Sequence, residues 1–135
     1  MNNLEEFNKL LIESIDETLK YAFGERNTRI IYEYLERKSC PLLEIPQKPN
    51  IFSFELRMIL GPERGQISCS TRACMLTPIL ERAIVKELCH KLGILFNEDE
   101  PMIFEDQIRK LKEAYERGNK IYRGLMHEGL VWKSF

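Results

Sequence analysis

Between Leu4 and Ala22 the apolar residues Leu4, Phe7, Leu11, Ile15, Leu19 and Ala22 recur at steps of three and four. That spacing gathers them on one stripe of an α-helix, whereas a strand would send alternate residues to opposite faces. The same period returns in four further runs, each bounded by glycine or proline, and this punctuation limits the chain to packed helices. Gly24 stands where the first run stops, a position in which glycine closes a helix without a Cβ clash. Residues 25–38 then place Ile30, Ile31, Tyr34 and Leu35 on one side. With only a tight turn between them, the two runs predict an antiparallel helical pair.

Proline governs the next stretch. Pro41, Pro46 and Pro49 each remove an amide donor and restrict the preceding residue, which predicts a rigid, extended connector. Asn50 is placed to cap a third helix that carries Phe52, Leu56, Ile59 and Leu60 and stops at Gly61 and Pro62. Residues 62–75 have no period and read as an irregular loop containing Cys69 and Cys74. Thr77 followed by Pro78 is a capping hydroxyl with proline at the first helical position, opening a fourth helix that buries Leu80, Ile84, Leu88 and Leu92 and closes at Gly93. A fifth helix over 103–117 aligns Phe104, Ile108, Leu111 and Tyr115, with Gly118 and Asn119 as its stop. The expectation is therefore an all-α bundle of about five helices, with an irregular Cys-containing loop and an apolar C-terminal tail.

Composition sets the class. A length of 135 residues fits a single helical domain over 1–135, large enough to hold a core without metal or disulfide. At 44% hydrophobic residues disorder is excluded, and 20 Lys+Arg against 21 Asp+Glu leave no global basic field. Charges interrupt every apolar stretch well short of a membrane span, and acidic residues near the start argue against a secretory leader. A cytoplasmic protein with reduced thiols is expected, and no cofactor motif is present: no phosphate-cradling glycine loop, dinucleotide fingerprint, H-E-x-x-H or G-x-S-x-G.

Four segments, FNKLLIESIDETL, IIYEYLER, FSFELRMILG and LERAIVKELCHKLGI, resemble a small all-helical archaeal domain family of unknown function. Its members occur alone or as an output domain of signalling proteins. The likeness covers roughly the first two-thirds of a one-domain chain. It departs at the Cys-containing insertion between Gly61 and Leu80, so a family site near that loop is not carried over. What the resemblance implies is an all-helical fold and a regulatory or binding role in preference to catalysis.

Cys69, Cys74, Cys89 and His90 are the residues with metal-binding chemistry, since thiolate and imidazole suit tetrahedral Zn²⁺. Adjacent Cys89 and His90, however, point about 100° apart on a helix, which favours a buried thiol and an exposed imidazole over a convergent pair. Arg64 and Arg72 beside Cys69 and Cys74 raise a thiol-redox alternative. Glu13, Asp16 and Glu17 share part of the first helix but lack the E-x-x-H partner of di-metal bundles, and read as a solvated face.

Arg26, Arg29, Arg37, Lys38, Arg57, Arg64, Arg72 and Arg82 are the basic residues relevant to nucleic acid. Glu25, Glu33, Glu36, Glu55, Glu63 and Glu81 interleave with them in the manner of helix-surface ion pairs. The proline connector is too long for the turn of a helix-turn-helix. Leu125, Met126, Leu130, Val131, Trp132 and Phe135 give the tail more apolar surface than a solvated end carries, and Tyr32 and Tyr34 add aromatic character to the second helix. These features favour a non-catalytic regulatory or protein-interaction module whose tail contacts a protein partner or a second copy in a homodimer. A nucleic-acid-associated transcriptional regulator is the alternative, and a thiol-dependent redox or metal-binding protein comes third.

Overall fold

A computed structural model describes residues 3–60, 76–99 and 102–124, with side chains over 4–60, 76–99 and 102–118. Among these, four α-helical elements follow one another: α1 (Asn3–Arg37), α2 (Pro49–Leu60), α3 (Leu76–Leu92) and α4 (Phe104–Gly124), with a 3-10 turn at Leu42–Gln47. The expected all-α bundle is the observed architecture, and α1 comprises both of its first two predicted helices. Gly24 divides them with φ 83° and ψ 171°, a conformation essentially confined to glycine. The Tyr32 hydroxyl donates to Asp16 Oδ1 at 2.7 Å. In a straight helix those residues would lie about 24 Å apart, so the arms fold back on each other around Gly24.

Each of the four helices packs against the other three, and α1 makes its broadest contact with α3. Phe7, Leu11, Ile15 and Leu19 from the first arm, Ile31 and Leu35 from the second, Phe52, Leu56 and Ile59 from α2, and Ile84, Val85 and Leu88 from α3 are fully buried. α4 seals this core with Phe104, whose ring meets Phe52 at 5.6 Å and 45°, and with Tyr115, whose ring meets Phe7 at 6.0 Å. The Tyr115 hydroxyl also donates to Glu6, joining α4 to the beginning of α1.

Two helix ends share one backbone solution. At α3, Ile94 N–H reaches Cys89 O at 2.9 Å and Gly93 N–H reaches His90 O at 3.3 Å, the paired bonds of a Schellman cap, with Gly93 at φ 74°. At the end of α1, Cys40 N–H reaches Leu35 O and Ser39 N–H reaches Glu36 O, but here a serine holds the left-handed position at φ 63°.

Several boundaries depart from the sequence expectations. The proline connector is not extended: Leu42–Gln47 winds into 3-10 geometry with Pro46 inside it, and Ile45 and Pro46 are buried. A short 3-10 turn tolerates this proline, because few amides in it need an intrahelical acceptor. Asn50 is not the cap of α2; the helix begins at Pro49, with proline in its favoured first-turn position, and Lys48 O accepts from Phe52 N–H. Thr77 lies inside α3, and its buried hydroxyl makes no hydrogen bond among the described residues. Gly118 and Asn119 do not stop α4, which continues to Gly124. A glycine inside a helix costs only about 1 kcal/mol relative to alanine, and burial of this turn's neighbours Ala114 and Tyr115 offsets it. The loop carrying Cys69 and Cys74 and the proposed tail interface at 125–135 lie outside the described residues.

Candidate functional site

Burial along α3 follows Thr77, Leu80, Ile84, Leu88 and Leu92, widened by Val85, Cys89 and Glu81. The last is the exception: a carboxylate on the core-facing stripe, only 3% exposed. Ser53 of α2 donates its hydroxyl to Glu81 Oε2. Oε1 has no hydrogen bond among the described residues. Burial raises the Glu81 pKa, opposed by the Ser53 hydrogen bond and by the charge of Arg57, which stands beyond ion-pair distance. Oε1 is not among the fully enclosed polar atoms that lack a partner, so this oxygen keeps access to the cleft, and a carboxylate so largely buried marks a candidate site.

Glu81 opens onto a cleft of about 260 Å³ where α2, α3 and the start of α4 meet. Asn50, Ser53 and Arg57 line its α2 side, and Met102, Ile103 and Glu105 its α4 side. Phe54 and Ile103 rim the cleft at 55% and 57% exposure, large apolar side chains left in water beside a buried acid. α2 presents this face because Phe52, Leu56 and Ile59 are drawn into the core, which turns Ser53, Phe54 and Arg57 toward the boundary.

Of the residues singled out for metal chemistry, Cys69 and Cys74 lie outside the described residues, and the other two are not brought together. Cys89 is buried, with its thiol pKa pushed up to about 11 by desolvation, and His90 is exposed. Cys89 contributes to a second cleft, with Phe96, Leu111 and Ala114, where a high thiol pKa leaves little nucleophilic thiolate. Cys40 is likewise buried, its pKa raised by desolvation. Among the described residues no cluster of three or more His, Cys, Asp or Glu side chains is arranged to hold a metal ion.

Nor is the acidic face of the first arm simply solvated. Asp16 accepts from Tyr32 and pairs with Lys20 at 3.1 Å, while Glu17 reaches Lys91 of α3 at 3.0 Å. Tyr34 is buried and donates to Glu55 at 2.9 Å, so the two tyrosines of the second arm brace the bundle. Of the basic residues, Arg82 pairs with Glu98 at 3.0 Å and stacks over Phe96, and Lys38 lies over the Tyr34 ring; Arg26, Arg29 and Arg37 are exposed.

Sequence reasoning counted Glu81 only as an acid diluting nearby arginines. Its signal was positional: it falls four residues after Thr77 and three before Ile84, inside the apolar stripe of its own helix. Compared with protein-family models, characterised proteins and solved structures, the chain matches none. No described helix is long and apolar enough to cross a membrane.

Proposed function

We propose that this chain is a non-catalytic, regulatory protein-interaction module of the cytoplasm, and that the cleft above Glu81 is where it meets its partner. The observation that carries this reading is the exposure of Phe54 and Ile103 on the rim of a cleft with a buried carboxylate at its floor. Exposed aromatic and aliphatic side chains beside a pocket are the kind of surface that becomes the buried centre of an interface. The resemblance seen in the sequence points the same way. Two free buried thiols, Cys40 and Cys89, accord with a reducing compartment. For the nucleic-acid reading, Arg82 is spent on Glu98 within the molecule, while Arg26, Arg29 and Arg37 are exposed among interleaved acidic residues. A homodimer through Leu125, Met126, Leu130, Val131, Trp132 and Phe135 is a separate proposal, and a light-scattering mass near 16.0 kDa at micromolar concentration rejects it.

Photo-crosslinking in cells tests the main reading. A benzoylphenylalanine at Phe54 is expected to capture a discrete protein species that the same probe at exposed Leu43 does not. Identical adducts from both positions, or none from Phe54, reject it.

A further inference from the structure

We propose that the α2–α3–α4 cleft is a receptor for one basic side chain, a lysine or arginine presented by the partner protein, whose charged end binds Glu81 while its aliphatic stem lies against Phe54 and Ile103. This rests on the interaction reading and names the chemistry of the partner.

Three observations carry it. Glu81 is almost wholly buried and receives one hydrogen bond, from Ser53, leaving Oε1 without a donor among the described residues. A buried carboxylate is stabilised by a donor that brings opposite charge, and a guanidinium or ammonium supplies both. The cleft, at about 260 Å³, suits one extended side chain and falls below the roughly 300 Å³ at which small-molecule pockets begin. Its entrance is amphipathic in the sense a long basic residue requires: Phe54 and Ile103 offer apolar surface for methylenes, and Glu105 adds a second negative charge on the lining. Arg57 lines the same cleft and competes for Glu81, but it is exposed and free to turn its head group into water as the incoming cation arrives.

Amide resonances of the full chain, followed during titration, read the proposal. The peptide acetyl-Leu-Arg-Leu-amide is expected to shift residues of α2, α3 and the start of α4 saturably, more tightly than n-butylguanidinium, while 1-butanol shifts none of them. Glu81→Gln weakens peptide binding by about tenfold, the size of effect expected when a charge-assisted hydrogen bond is lost. Arg57→Gln, at an exposed position that leaves the core untouched, tightens it by removing the competing charge. No saturable shift, equal binding to wild type and Glu81→Gln, or no tightening in Arg57→Gln overturns the proposal. Equal affinity for the peptide and bare n-butylguanidinium also overturns it, in favour of a small-cation site. Crosslinking from Phe54 is independent of these outcomes, so the interaction reading can stand if the basic side chain fails.

Discussion

Ser39 and Gly24 both hold positive φ, but they face opposite consequences of substitution. Ser39 closes a Schellman cap at φ 63°, where its Cβ crowds the backbone. Ser39→Gly should stabilise the protein by about 1 kcal/mol, less the extra freedom glycine gives the unfolded chain. A higher urea midpoint at unchanged slope is the expected reading, and no gain rejects it. At Gly24 a Cβ would meet open space, with nothing within 4 Å, yet φ 83° with ψ 171° is strained for any L-residue. Gly24→Ala is therefore expected to cost about 1–3 kcal/mol through backbone strain alone. An alanine variant as stable as wild type would show that the bend does not depend on glycine.

α2 meets α4 through Phe52 and Phe104, and this contact is separable from simple burial. A double-mutant cycle with Phe52→Leu and Phe104→Leu should return a coupling of about 0.5–1.5 kcal/mol, as tilted aromatic pairs do. Additive losses would mean that the rings merely fill space. Helix content was legible in the sequence because its signal is local: Gly24 and Gly93 mark real helix ends, and the stripes of Leu11, Ile15 and Leu19 or of Ile84, Leu88 and Leu92 are the buried ones. Gly118 misled because a glycine signals a stop only when the chain turns there, and tertiary packing decides whether it does. The connector misled for a similar reason, since three prolines forbid a long α-helix but leave a 3-10 turn open. The cleft was hardest to see: a glutamate beside Leu80 looks like any surface acid until Ser53 arrives from α2 and the start of α4 closes the cleft beside it.

Across the whole molecule, Glu81 sets a pH dependence of known sign. Its folded-state pKa is raised by burial, so its contribution is fully present below the unfolded carboxylate value and is lost as pH rises through the folded one. Glu98 works in the opposite sense, its pKa lowered by hydrogen bonds from Arg82 and Lys86, so the informative quantity is the difference between two proteins. Relative to wild type, Glu81→Gln should gain stability as pH rises above the usual carboxylate range, seen as a widening gap in urea midpoints. A pH-independent gap would place Glu81 in contact with water. Burial also shields the thiols. With Cys69 and Cys74 replaced by serine, labelling of Cys40 and Cys89 should be slow and accelerate with sub-denaturing urea, and fast labelling in native buffer would contradict their burial.

The bend at Gly24 also has a consequence in time. Asp16 and Tyr32 are joined across 16 residues, whereas Glu6 and Tyr115 are joined across 109. Closing the longer span from an unfolded chain costs about 2 kcal/mol more in loop entropy. The arms of α1 are thus free to meet before α4 arrives. Tyr32→Phe should slow folding, whereas Tyr115→Phe should chiefly speed unfolding, and a chevron analysis showing the reverse would assign the early step to the other end of the bundle. The short span across the bend then sets which part of the molecule waits for the rest.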